Sequence, residues 1–223
     1  MGLYNAVQKV DKNGEVYRGV AFNFPVINPG KRNKASMGQI RREKPVGVVK
    51  GSVDNKNRER AIRRAKTSIR DYIKTNIDLR YFVTYTLDAK KMDRYDSAAI
   101  YAEIRDWLAN SVKRKNFKYV LVAEKHENGA WHFHGFTNIP LEWKYGFSTC
   151  SSIPSIGADR NRCINYLVSY VKKDMEKFNG RYYLHSNNLD KPDKIYSNVN
   201  FEKIDGYCMD LENVGAKVKI WEK

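Results

Sequence analysis

Two histidines separated by one bulky residue, His132-Phe133-His134, stand late in a stretch from Tyr119 to Thr137 that reads YVLVAEKHENGAWHFHGFT. Side chains of a β-strand alternate between faces, so residues at i and i+2 point the same way, and two imidazoles sharing a face have metal-ligand geometry. The chain has 4 histidines, of which His126, His132 and His134 fall here. An apolar strand ends in Glu124, and Asn128-Gly129 turns the chain back. Two registers are open. A two-residue turn pairs Lys125 with His132 and leaves Glu124 on the opposite face from both histidines. A three-residue turn over Glu127, Asn128 and Gly129, with Gly129 left-handed in a bulge, pairs Glu124 with His132 on one face. Metal binding through Glu124 requires the second. Further along, Tyr166, Tyr170, Lys173 and Lys177 recur at helical spacing, roughly 140° around the axis from an apolar stripe. Tyrosines that share a face with lysines read as functional hydroxyls; the competing reading makes them packing residues at the helix edge.

Together these residues describe a chemistry. A divalent ion held by two imidazoles and one carboxylate keeps open positions for a substrate oxygen. A tyrosine hydroxyl nearby is a nucleophile that can attack phosphorus and form a covalent phosphotyrosine. Lys173, one turn beyond Tyr170, would stabilise the phenolate or the charge building on phosphate.

Composition points to the same substrate class. The 223 residues carry 41 Lys and Arg against 25 Asp and Glu, a net charge of +16. Such an excess favours a polyanion, nucleic acid first and an anionic membrane second. No apolar run has membrane-spanning length and the amino terminus is polar, so a soluble, intracellular protein is expected. The three cysteines, Cys150, Cys163 and Cys208, show no C-x-x-C spacing, which argues against a disulfide framework or a zinc ribbon. No G-x-x-x-x-G-K-[ST] occurs; the PGKRNK stretch around Gly30 lacks the first glycine and the final Ser or Thr. Without a nucleoside triphosphate site, any separation of duplex strands must come from another protein.

The elements that position these residues follow from periodicity. Residues 1–50 read as a hairpin or two, from runs such as Glu15 to Phe24 and Val46 to Val49, with a basic loop at Lys31 to Lys34. Residues 54–75 form an amphipathic helix, capped by Asp54 or Asn55, with Ile62, Ala65, Ile69, Tyr72 and Ile73 on its apolar face. Its other faces hold Arg58, Arg60, Arg63, Arg64, Lys66, Arg70 and Lys74, opposed only by Glu59 and Asp71. Guanidinium forks match phosphate oxygens, although a solvated charged face remains the alternative. Residues 80–88 alternate as an interior strand, with Phe82, Thr84 and Thr86 on one face. Asp96 or Ser97 starts a helix to about Lys115 with Ile100, Ile104, Trp107, Leu108 and Val112 as its stripe. Residues 139–158 read as an irregular segment that covers the site. A helix from Asp159 to about Phe178 carries the tyrosines, with Ile164, Leu167, Val168, Val171, Met175 and Phe178 as its apolar stripe. From Arg181 onward come short strands, among which His185 reads as structural.

The set FVTYTLD, then HFH, then Tyr166-x-x-x-Tyr170-x-x-Lys173, in this order, resembles the HUH endonucleases, and within them the rolling-circle replication initiators of bacterial phages and plasmids related to filamentous-phage gene II proteins. The resemblance covers about Asn57 to Leu189. It implies an α+β fold, a central antiparallel sheet of about five strands flanked by helices, with residues 51–189 as the nickase core. Residues 1–50 become a β-rich extension, and residues 190–223 short strands packing on the core. It implies that His132 and His134 bind Mg2+ or Mn2+ with an upstream carboxylate, for which Glu124 is the match and His126 the competitor. The strand of Thr84 and Thr86 would lie beside the hairpin. A tyrosine of the late helix would attack single-stranded DNA at a replication origin, leaving a 5′-phosphotyrosine and a 3′ hydroxyl. Two-tyrosine members place a lysine three residues after each tyrosine. Here Lys173 follows Tyr170 but Ser169 follows Tyr166, which favours Tyr170 for the first nick. Phosphates would be met by the basic helix (Arg58, Arg60, Arg63, Arg64, Lys66, Arg70) and bases by aromatics such as Tyr81, Trp131 or Trp143. A separate helicase and polymerase in the cytoplasm of a bacterial host would complete the process. A relaxase or transposase would share the chemistry, and a non-catalytic origin-binding module is the alternative of another class.

Overall fold

A computed structural model describes residues 3–27, 55–211 and 216–222. The basic cluster Lys31 to Lys34, the run Val46 to Val49 and the cap at Asp54 lie outside the described residues. The first half of the chain forms β1 (Leu3–Val10), β2 (Val16–Ile27), α1 (Asn55–Thr75), β3 (Tyr81–Thr86) and α2 (Ser97–Lys115). Then follow β4 (Tyr119–Lys125), β5 (Trp131–Thr137), β6 (Ser148–Ser152), α3 (Ala158–Ser169) and β7 (Leu184–His185). The chain ends in β8 (Asp193–Ser197), β9 (Tyr207–Leu211) and β10 (Ala216–Glu222). Two antiparallel five-stranded sheets and these helices make an α+β fold.

The chain divides into two compact units, Asp54–Lys191 and a second built from the chain on either side of it. In the second unit the strand order is β8-β1-β2-β10-β9. The Asp11 carboxylate accepts from the backbone N–H of Asn13 and Glu15 and closes the β1–β2 turn. The short C-terminal strands hydrogen-bond into a sheet with the N-terminal hairpin, around a small core of Ala6, Ala21 and Phe201.

In the unit Asp54–Lys191 the order is β6-β3-β5-β4-β7. Period-two alternation sends the strand side chains to two different cores. On one face Val83, Tyr85, Leu121, Ala123, Trp131 and Phe133 pack on Ile100, Ile104 and Leu108 of α2. On the other face Val120, Val122 and Phe136 pack on Ile62, Ile69 and Ile73 of α1 and on Ile164, Leu167 and Val168 of α3. The start of α2 is fixed by Asp96, whose carboxylate accepts from the N–H groups of Ala98 and Ala99.

Two expectations fail here. Residues 139–158 are not wholly irregular: Ser148–Ser152 is the edge strand β6, paired with β3. Its residues are exposed on both faces, so the sequence STCSS carries no hydrophobic alternation to betray it. The late helix stops at Ser169 instead of reaching Phe178. The reason is burial on opposite sides of one sheet. Leu167, Val168 and Val171 belong to the α1 face, whereas Phe178 is buried on the α2 face against Trp131 and Phe133. A continuous helix would hold all of them on one stripe, so the chain unwinds after Tyr170 and crosses the sheet edge.

Helices α1 and α3 are joined by a buried guanidinium. Arg160, 2% exposed, donates to the carbonyls of Ile73 (2.7 Å), Asn76 (3.1 Å) and Leu79 (2.8 Å), satisfying the carboxyl end of α1. Burial lowers its pKa to about 10, so it stays charged at neutral pH. Arg160→Met keeps the stem but leaves those carbonyls buried and unpaired, and is expected to cost about 3 kcal/mol in urea unfolding. A loss below about 1 kcal/mol would mean that solvent replaces the guanidinium.

Candidate metal and tyrosine site

The hairpin adopts the three-residue turn. Glu124 lies opposite His132 and Lys125 opposite Trp131. The His126 N–H donates to the Ala130 carbonyl (2.9 Å), the Gly129 N–H to the His126 carbonyl (2.8 Å), and Gly129 has φ 82°. On the other side of β5, Thr84 faces His134 and Thr86 faces His132. Glu124, His132, His134 and Thr84 therefore project from one face of the sheet, the face that α1 and α3 cover.

The donor atoms converge. His132 Nε2 is 3.4 Å and His134 Nε2 3.7 Å from Glu124 Oε2, and ligand atoms of all three residues lie within 4.8 Å of one another. Burial, then the imidazoles of His134 and His126, pulls the His132 pKa down to about 4. Burial and His126 do the same to His134. Both rings are neutral at pH 7, so these are not ion pairs. They are lone-pair donors set against a carboxylate. The Thr84 hydroxyl lies 3.0 Å from His134 Nδ1; with the proton on Nδ1 the ring donates to Thr84 and turns its Nε2 lone pair toward Glu124. Burial raises the Glu124 carboxyl, opposed by the charge of Lys172. An ion about 2.1 Å from each donor holds neighbouring donors roughly 3.0–3.4 Å apart, close to the 3.4 and 3.7 Å from the Glu124 oxygen to the two imidazoles. The two nitrogens and one oxygen fit a divalent cation with positions left open. His126, the alternative third ligand, stacks on His132 at 3.8 Å and is exposed.

Tyr170, the first residue after α3, lays its ring flat on His134, with centroids 4.5 Å apart and planes 3° from parallel. Tyr166, one turn earlier and 53% exposed, meets His134 edge-on at 6.2 Å. The two phenols share a hydrogen bond, the Tyr170 hydroxyl donating to that of Tyr166. Burial, that hydrogen bond and the Glu124 charge raise the Tyr170 pKa above the usual tyrosine range.

The early end of α3 redistributes the lysines. Lys173 Nζ sits 3.4 Å from Glu59 Oε1 of α1, in an exposed pair. Lys172 instead borders a cavity of about 320 Å³ together with Glu124 and Tyr170. Reading the helix through to Phe178 put Lys173 on the tyrosine stripe and passed over Lys172. Lys177 packs over the Tyr182 ring at 4.7 Å.

Along α1, Glu59 meets Lys173, Arg70 meets Asn165 and Lys74 meets Asn161, so the stripe of Glu59, Arg63, Lys66, Arg70 and Lys74 runs beside α3. Arg60, Arg63 and Arg64 are exposed; Arg58, Lys66 and Arg70 are half-buried. Of the aromatics considered for base stacking, Trp131 and Trp143 are 2% and 3% exposed and belong to the α2-side core, where Trp143 stacks on Tyr85. Neither offers a free ring face. Tyr81 is half-buried at the start of β3.

Residues 80–179 match the family model of the replication-associated protein ORF2/G2P. The matched stretch holds Glu124, His132, His134, Tyr166, Tyr170, Lys172 and Lys173, while α1 lies before it. No curated protein and no solved structure matches the chain. No helix among the described residues is long and apolar enough to cross a membrane.

The donor geometry predicts metal affinities. In competition with a fluorescent chelator, His134→Ala is expected to weaken Mn2+ binding at least tenfold, and Thr84→Val about tenfold through loss of the orienting hydroxyl. Wild-type affinity in His134→Ala would move the metal elsewhere.

Proposed function

We propose that the chain is a metal-dependent nickase and strand transferase for single-stranded DNA that initiates rolling-circle replication. One observation carries the reading: a tyrosine ring rests on an imidazole of a three-donor metal cluster, on one face of one sheet. The family match supports a role in replication, and a net charge of +16 supports a polyanionic substrate.

A divalent ion, Mg2+ or Mn2+, bound by Glu124, His132 and His134 supplies Lewis-acid charge for a phosphate oxygen. Thr84 fixes the His134 ring, and Tyr170, stacked on that ring, carries the nucleophilic Oη. As the Tyr170 oxygen bonds to phosphorus, the bond from phosphorus to the 3′ oxygen breaks. The phenolic proton ends on that oxygen, giving a 5′-phosphotyrosine and a 3′ hydroxyl. The new ester keeps the energy of the old one, so a 3′ hydroxyl can reverse the step and rejoin strands. Tyr166, hydrogen-bonded to Tyr170, holds the proton in transit or serves as a second nucleophile. Lys172 offsets charge gathering on the phosphate, and Lys173, tied to Glu59, holds the segment after α3 against α1. Arg63, Lys66 and Arg70, alongside α3, meet flanking phosphates, with Arg58, Arg60 and Arg64 extending the basic surface. Origin DNA is the substrate, and helicase and polymerase are separate partners in the host cytoplasm.

With Mn2+ and a single-stranded origin oligonucleotide, a covalent adduct resolved on denaturing gels is expected. Tyr170→Phe should abolish it while DNA binding persists, and chelator should abolish it in the wild type. An adduct that survives in Tyr170→Phe and disappears in Tyr166→Phe would reverse the tyrosine roles; one indifferent to chelator would remove the metal from the chemistry.

A further inference from the structure

At the β7 edge of the same unit lies a cavity of about 420 Å³ between α2 and this short strand. Tyr101, Arg105 and Lys113 line it from α2. Arg181, Tyr183 and His185 line it from the segment around β7, and no carboxylate is among the lining residues. Lys113 has no ion pair among the described residues. Arg181 lies over the Tyr101 ring at 5.5 Å. Among the described residues Arg105 pairs only with its neighbour Asp106, at 3.1 Å, with both side chains more than half exposed, a pairing that solvent weakens. Three cations converging on one cavity without an acid repel one another until a polyanion enters. Beside them the exposed His185 ring is backed by Tyr72 at 4.8 Å and flanked by Tyr183 at 5.6 Å, which makes it a stiff aromatic ledge.

We infer that this groove is a second binding place for single-stranded DNA and takes the strand that continues beyond the cut. A cationic track next to aromatic rings is how proteins hold an unpaired strand, with phosphates on the charges and bases on the rings. A duplex keeps its base faces stacked inside and cannot use the ledge. An acidic peptide could meet the charges, but it lacks the regular pairing of one anion with one flat ring per repeat that an unpaired strand brings to both parts of the groove. The groove is also within reach of the proposed chemistry. Tyr119 at the groove and Glu124 at the metal cluster belong to one strand, roughly 17 Å apart at the ordinary rise. Strand β7 pairs with β4 only at Val120 and Leu121, so beyond them β4 borders the sheet edge that the segment after Tyr170 crosses. The inference rests on the proposed function for the identity of the ligand, but binding can be read without cleavage.

The experiment uses the full chain, a short single-stranded oligonucleotide confined to the cut, and a long one extending to both sides, with affinity followed by fluorescence anisotropy across a salt series. Lys113→Glu/Arg181→Glu is expected to bind the long DNA at least tenfold more weakly, with a salt slope lower by about 2. It should bind the short DNA and form the adduct as the wild type does. His185→Ala, which changes no fixed charge, should weaken long-DNA binding about fivefold with the salt slope unchanged. Unchanged long-DNA affinity in both variants, or an equal loss on short and long DNA, would overturn the groove. If the wild type forms no adduct yet the double variant still loses the long DNA selectively, the groove stands and the nickase reading falls; a normal adduct with groove variants indistinguishable from wild type gives the reverse.

Discussion

Gly129 holds a left-handed backbone, φ 82°, a state that costs a residue with a Cβ roughly 1–2 kcal/mol. With that state the turn between β4 and β5 closes over three residues, and Glu124 falls opposite His132. Side chains alternate along a strand, so a slip of one residue would carry Glu124 to the aromatic core on the α2 side and pull a core residue into its place. The juxtaposition of Glu124, His132 and His134 therefore includes a left-handed backbone at a position that lends no donor atom. The hydrophobic pattern enforces the same register. Val120 and Val122 must meet the α1 and α3 core, and Leu121 and Ala123 the α2 core. Turn and packing agree, and Glu124, next in the alternation after Val122, is carried onto the histidine face.

The division of the sheet into two faces also decides where polar groups can survive. On the α2 face Trp131, Phe133, Trp143 and Phe178 are buried together beneath the strands that carry the histidines. The α1 and α3 face is apolar only as far as Val122 and Phe136. Beyond them it opens into the histidines, and Tyr170 closes part of that opening by stacking on His134. The same partial burial that makes both imidazoles neutral at pH 7 keeps their nitrogens available as ligands.

The sequence was most legible where periodicity and chemistry coincided. The His-x-His strand, the alternation of Phe82, Thr84 and Thr86, and the stripes of α1 and α2 all lie as read, because each rests on a local repeat that burial then obeys. The register of the hairpin was not legible: Asn-Gly serves either turn, and only the long-range pairing with β3 and the two cores selects between them. The end of α3 was misread for a related reason. Met175 and Phe178 continue the helical period past Tyr170, yet Phe178 is needed on the far side of the sheet, a demand that no local repeat expresses. Lys172 went unnoticed as a consequence. Trp131 and Trp143 looked like candidates for stacking bases because composition alone does not tell a core aromatic from a surface one.

The family match begins at Arg80, after α1, yet the matched region does not complete its own interior. Arg160 lies within it, and the carbonyls closest to its guanidinium, those of Ile73, Asn76 and Leu79, all lie before it. Residues 80–179 alone would hold a buried cation stripped of these acceptors, a state that costs several kcal/mol. They would also expose Val120, Val122 and Phe136 where Ile62, Ile69 and Ile73 now cover them. Helix α1 is thus part of the same folding unit as Glu124, His132 and His134. Through Arg160 it holds the start of α3 in place, while the exposed pair of Glu59 and Lys173 only touches the chain just beyond Tyr170. The phenol on His134 is consequently positioned in part by the buried contact that anchors the start of α3, made to an element that lends the site neither a metal-donor residue nor a tyrosine.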